Sequence, residues 1–179
     1  MSSPAKVSLQ EWIKGTKVLD KDGKPLVLYH GTMQLFDRFV ESEKPLVPGS
    51  LRGHYFSSDK GAAAEYGKNL IIALVNLKNP FVGLPMDRYR EVHVIERPGF
   101  GSSPEVFARN KSVTPQAVKE WLIDQGYDGV IIPSGASYFD HDEIIAFHAD
   151  QIRIIKTMTP EMAPSVRNGN DPRSQFPSM

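Results

Sequence analysis

Four side chains with chemical potential stand far apart in this 179-residue chain: the imidazole of His30 in YHGT, the phenols of Tyr55 and Tyr66 in HYFSSDKGAAAEYG, and the carboxylate of Glu143 in HDEIIAF. The tyrosines are eleven residues apart around a block of glycine and alanine too small to be an ordinary core segment. Two aromatic faces are therefore set around a turn and one short helix. Each residue also has a structural reading. A histidine at a strand end is often a satisfied scaffold side chain, either tyrosine can be a half-buried core ring, and Glu143 can be a solvated edge charge. His141-Asp142-Glu143 looks like a metal cluster, but no second His/Asp/Glu group stands at ligand spacing, so no metal is expected. Pro98-Gly99-Phe100-Gly101-Ser102-Ser103 is not a phosphate loop, because no suitable strand precedes it and no Lys-Ser/Thr follows. The chain has no cysteine, which removes thiolate nucleophiles, thiolate metal sites and disulfides together.

Bulk composition narrows the classes further. With 40% hydrophobic residues the chain can fill a real core, and its length suits one domain with tails. Lys and Arg number 21 against 21 Asp and Glu, so no global field draws in nucleic acid or an anionic membrane. The N-terminus lacks an apolar leader core, and no apolar run approaches the roughly 18 residues a spanning helix needs. Both points favour a cytoplasmic location, either in the producing cell or in a host.

The elements that must position these residues follow from caps and periodicity. Ser8 with Glu11 has capping-box spacing, and Gly15 is a stop, which predicts a helix over about 9–14. Lys21-Asp22-Gly23 is a hairpin-type turn between two β-rich runs, and a strand Leu26–Tyr29 would deliver His30-Gly31-Thr32 at its end. Residues 41–53 read as a loop and candidate flap. Tyr55-Phe56 reads as a short strand, after which Ser57, Ser58 and Asp59 offer cap chemistry for a helix through Tyr66 closed by Gly67. LIIALVNL at 70–77 is an apolar strand ended by Asn79-Pro80. Residues 83–113 read as an insertion with loop-like character in which VHVI could be a strand. Thr114-Pro115 starts a helix to 125 with Val118, Trp121 and Leu122 on one face. Strands follow at 129–132, 143–147 and 151–156, then a proline-rich tail from about 157 expected to be disordered. The sum is an α+β domain with six or seven short strands and two or three short helices.

In order, YHGT, HYFSS…EYG, NP, GYDGVII and DEIIAF…QIRI resemble the catalytic domain of the ADP-ribosyltransferases. The likeness is to the His-Tyr-Glu branch shared by diphtheria-like toxins and poly-ADP-ribose polymerases, and especially to small domains of phage, mobile-element and bacterial effector proteins. It covers about residues 26–156, leaving 1–25 as an N-terminal helix and hairpin strand and 157–179 as the tail. It implies two packed, mainly antiparallel sheets with NAD held in the cleft between them.

The same resemblance assigns roles. His30 is the triad histidine, expected to hydrogen-bond the 2′-hydroxyl of the adenosine ribose, while Gly31 exposes backbone to the nicotinamide carboxamide and Thr32 adds a hydroxyl. Tyr55 is the triad tyrosine and Tyr66 the second ring, which together flank the cationic nicotinamide. Phe56 and Ser57 beside Tyr55 complete the expected NAD contacts, and Glu143 is the triad glutamate, stabilising the oxocarbenium-like transition state. Two departures stand out. Ala63 replaces the serine that many relatives place three residues before the second tyrosine, and His141 stands where arginine-modifying toxins carry Gln or Glu, which makes an arginine target less expected. The implied activity is NAD-dependent mono-ADP-ribosyl transfer to a macromolecule, a protein rather than nucleic acid given the neutral charge. A catalytically silent NAD-fold binding module and an RNA 2′-phosphotransferase are the alternatives. The latter would need a basic cluster, for which Arg38, Lys44 and Arg52 are too few.

Overall fold

The computed structural model describes residues 7–41, 50–137 and 139–159. The predicted first helix is α1 (Leu9–Ile13), with the Ser8 hydroxyl accepting the Glu11 N–H at 3.2 Å and Gly15 turning the chain at a φ of 77°. After it, Thr16 is buried and donates its hydroxyl to the Val75 carbonyl at 3.1 Å, tying the N-terminal segment to the core. The hairpin turn forms around Asp20, whose carboxylate accepts the N–H groups of Asp22 and Lys24, but its flanks make only the single bridge Leu19–Pro25.

Seven strands form one hydrogen-bonded sheet: β1 (Leu28–Thr32), β2 (His54–Ser57), β3 (Asn69–Val75), β4 (Phe81–Val82), β5 (Gly129–Ile132), β6 (Glu143–Ala146) and β7 (Ile152–Met158). Their order is β4-β5-β6-β2-β1-β3-β7, antiparallel except for β4 with β5. The two separate sheets expected from the family are therefore corrected to one continuous sheet. The reason is a narrow seam: β1 and β2 stay joined at the single pair Tyr29–Ser57, while β1 pairs with β3 along its whole length. Strand β1 also starts and ends later than the predicted 26–29, so His30, Gly31 and Thr32 lie within it rather than beyond it.

Both faces of this sheet are covered, which explains why EIIAF is a continuous apolar run rather than an alternating one. Ile144 and Ala146 enter one core with Leu28, Phe56, Val75 and Leu77. Ile145 and Phe147 enter a second core with Val118, Leu122, Val130 and Ile132. The second core is roofed by α5 (Pro115–Asp124), capped by Thr114 with proline at its start as the sequence indicates.

Two helices, not loops and a strand, occupy 83–113, the region where least was legible. A parallel β4–β5 pair needs a crossover, and residues between the two strands supply it as α3 (Pro85–Val92), α4 (Pro104–Asn110) and α5. The expected strand VHVI is the end of α3 and a kink at Val94, whose φ is 53°. Ser103-Pro104 opens α4 with the cap chemistry of Thr114-Pro115, the Ser103 hydroxyl accepting the Val106 N–H. Helix α2 (Lys60–Ala64) is capped by Asp59, which accepts the Ala62 N–H at 2.7 Å, and it stops before Tyr66. Strand β7 extends two residues beyond the predicted 156. Most of the expected flap, at 42–49, and the rest of the expected tail, from 160, lie outside the described residues.

Candidate active site

The site begins at the seam. Beyond the Tyr29–Ser57 pair the ladder between β1 and β2 does not continue, and the Tyr55 carbonyl would lose its strand partner. The His30 ring reaches across instead, its Nδ1 2.7 Å from the Tyr55 carbonyl oxygen. A carbonyl only accepts, so Nδ1 carries the proton and the neutral ring leaves Nε2 as an acceptor. Burial holds the His30 pKa below the ordinary value of 6.5, against the opposing pull of the hydrogen bond to Tyr55. An uncharged imidazole with an acceptor nitrogen can take a hydrogen bond from a hydroxyl group.

A cavity of about 280 Å³ opens where the strands part. Strand β1 contributes His30 and Gly31 to it, β2 contributes Tyr55, Phe56 and Ser57, Tyr66 follows from α2, and β6 contributes Glu143. Ala63, noted as a departure from the family's serine, lines it as well, as do Tyr29 and Ser50, which were not singled out from the sequence. Thr32 is the exception among the predicted residues. It stands outside the lining, and its hydroxyl donates to the Gln34 carbonyl at 2.8 Å.

Two glycines let α2 close this cavity. A Cβ on Gly31 would lie 1.8 Å from the Ala63 carbonyl oxygen, and one on Gly67 would lie 2.2 Å from the Thr32 carbonyl carbon. Neither glycine has a positive φ, so each is needed for its size, not for its conformational freedom. Gly67 thus seats the helix on β1 rather than ending it in a left-handed turn.

The Tyr55 hydroxyl donates to the Leu51 carbonyl at 2.8 Å, which fixes the ring. Burial, with a further push from Glu143 and against hydrogen bonds from Ser50 and Leu51, drives its pKa up to about 12. The phenol therefore stays protonated and offers a face, not a base. Tyr66 lines the same cavity and is 55% exposed, so its ring keeps a face open to solvent.

Glu143 sits at the first position of β6, paired with Ser57 of β2 and Ile132 of β5. Burial raises its pKa above the usual 4.5, with His141 pulling it down. Among the described residues no hydrogen bond engages its carboxylate, which leaves it available to a ligand. The preceding residue, Asp142, which the sequence reading placed only in an apparent metal cluster, is held in place by Ser58 and Ser134. The Ser58 N–H donates to the Asp142 carbonyl at 3.0 Å, the Asp142 N–H to the Ser58 hydroxyl at 2.9 Å, and the Asp142 carboxylate accepts the Ser134 N–H at 2.8 Å. Ser57 supports the same corner, its hydroxyl accepting the Asp59 N–H at 2.9 Å.

On the other side of Tyr66 lies a second cavity of about 360 Å³, lined in part by Asp59, Glu65, Asp140 and His141. The His141 side chain is 12% exposed, and among the described residues its Nδ1 has no hydrogen-bond partner, the Asp140 carboxylate standing 3.6 Å away. Among the described residues no group of three or more His, Asp or Glu side chains could hold a metal, and no helix is long and apolar enough to cross a membrane.

Residues 20–162 match the family model for the ADP-ribosyltransferase in polyvalent proteins. No curated protein matches the chain. Among solved structures, one titled an anti-CRISPR protein is 13% identical, covering 72% of this chain and 94% of its own with a TM-score of 0.40. A likeness that loose carries no functional weight.

Proposed function

Since the chain belongs to the family of ADP-ribosyltransferases in polyvalent proteins, we propose that it cleaves NAD between nicotinamide and ribose and transfers ADP-ribose to a macromolecular acceptor, a protein in preference to nucleic acid. The observation that carries this reading is convergence. His30, Tyr55, Tyr66 and Glu143 are spread over more than a hundred residues, and all four line one cavity.

In this reading the two tyrosines flank the nicotinamide ring. NAD carries a positive charge on that ring, so each aromatic face adds about 0.5–2 kcal/mol of cation–π attraction to apolar burial. His30 accepts a hydrogen bond at Nε2 from the adenosine ribose, and the Gly31 backbone faces the carboxamide. When the glycosidic bond breaks, its electron pair goes to the nicotinamide nitrogen and positive charge develops on C1 and the ring oxygen of the sugar. Glu143 accepts from the ribose hydroxyl and stabilises that charge, an effect that strengthens toward the transition state. The acceptor's nucleophile then bonds to C1 and releases its proton.

Incubating the purified chain with NAD labelled in the adenosine half and a cell lysate tests this reading. Transfer predicts labelled protein bands with the mass increment of ADP-ribose, absent with Glu143→Ala. Binding of NAD without nicotinamide release or label transfer would instead identify a silent binding module.

A further inference from the structure

We propose that Phe39, held in place through Glu41, is a positioning residue for His30; the inference rests on the reading of His30 as an NAD-contacting residue. Phe39 does not line the cavity. It stands behind it, its ring centroid 5.2 Å from that of His30 at an interplanar angle of 76°, 4.9 Å from Phe36, 5.3 Å from Phe56 and 5.2 Å from His54. His30 is thus backed by Phe36, Phe39 and Phe56, with Nδ1 committed to the Tyr55 carbonyl. Only Nε2 is left to face a ligand. The ring edges do what a carboxylate does for many functional histidines: they fix its orientation, but without adding charge.

The segment that carries Phe36 and Phe39 contains no helix or strand, so something else must hold it. At its start the Asn69 amide donates to the Met33 carbonyl at 2.9 Å. At its end the Glu41 carboxylate accepts the Ala149 N–H at 2.7 Å, a contact between residues 108 positions apart, with His148 Nδ1 3.8 Å away. Among the described residues the titratable groups near Glu41 are His148, His54 and Lys119. Those near His30 are His54 on β2 and, sharing its cavity, Tyr55 and Glu143. Glu41 therefore fastens the aromatic wall to the β6–β7 connection without touching the site itself.

The test reads His30 directly. Nuclear magnetic resonance of the imidazole nitrogens in the ligand-free protein should show the Nδ1-protonated form, titrating below the ordinary 6.5. Phe39→Ala should move that midpoint up toward 6.5 and mix the two tautomers, while Phe39→Leu, which keeps the ring covered, should stay near wild type. The core control Ile144→Val should lower stability and leave the titration alone. In turnover, Phe39→Ala should raise KM for NAD by about tenfold with kcat within about threefold, as expected for a misplaced binding group. Glu41→Ala should give a smaller version of the same change, and Glu41→Gln, which retains an oxygen for the Ala149 N–H, should recover it. Unchanged His30 titration in folded Phe39→Ala overturns the proposal, and equal damage from Glu41→Gln and Glu41→Ala overturns the part given to Glu41. Should wild type fail to turn over NAD, the functional reading falls, and the titration still decides this one.

Discussion

Glu143, the carboxylate proposed to act on the ribose, opposes the stability of its own fold. Its pKa is raised, so the folded protein binds more protons than the unfolded chain at pH values above about 4.5. Stability is therefore lost as pH rises through that window, and at neutral pH the buried carboxylate is a net cost. Glu143→Gln should raise the melting temperature at pH 7, with the gain shrinking toward zero near pH 4, while nicotinamide release falls roughly 100- to 1000-fold. Thermal denaturation of both proteins across pH measures this. A variant less stable than wild type at neutral pH would show that the carboxylate is satisfied by a partner. His30 has the opposite sign: its lowered pKa makes the unfolded chain the stronger proton binder below about 6.5, so its contribution is lost on acidification.

At the scale of elements, the decisive contact is α2 lying on β1 with no room for a methyl group. Gly31→Ala should cost about 1–3 kcal/mol and disturb the cavity, because the Ala63 carbonyl must move. Gly99→Ala, where a Cβ meets nothing within 4 Å, is the matched control. Urea denaturation separates them, and equal stabilities would mean that α2 yields without cost. The same contacts explain what could be read from the sequence. Caps and stops at Ser8, Asp59, Thr114 and Gly126 are local chemistry, and each places a boundary within a residue or two. Family motifs single out His30, Tyr55, Tyr66 and Glu143, and all four line one cavity. Thr32 lies outside that lining and donates its hydroxyl to the Gln34 carbonyl, a contact no motif encodes. The crossover helices were missed although Ser103-Pro104 carries the same cap-and-proline pair that revealed α5. Glycines 99 and 101 and the polar character of α3 hid them, and no residue of α4 is fully buried, Val106 and Asn110 being only half-buried.

For the whole molecule, a single sheet with a nearly opened seam accounts for both cohesion and function. Continuous pairing on either side carries the two cores, and the parting of β1 from β2 supplies a cleft without splitting the sheet. The N-terminal segment belongs to this unit. Thr16 donates to the Val75 carbonyl and accepts the Val18 N–H at 3.2 Å while 5% exposed. Thr16→Val should leave both groups unpaired and cost roughly 1–3 kcal/mol, lowering the midpoint of one cooperative unfolding transition. Two separate transitions would instead mean that the segment folds apart from the sheet.

The account turns on whether this cleft grips the nicotinamide end of NAD and breaks its bond to ribose. Free nicotinamide can be followed by chromatography as purified protein is incubated with NAD. Steady release by wild type, reduced at least about 100-fold in folded Glu143→Gln with NAD affinity within about tenfold, is the predicted result. Release at the same rate by both proteins would contradict it.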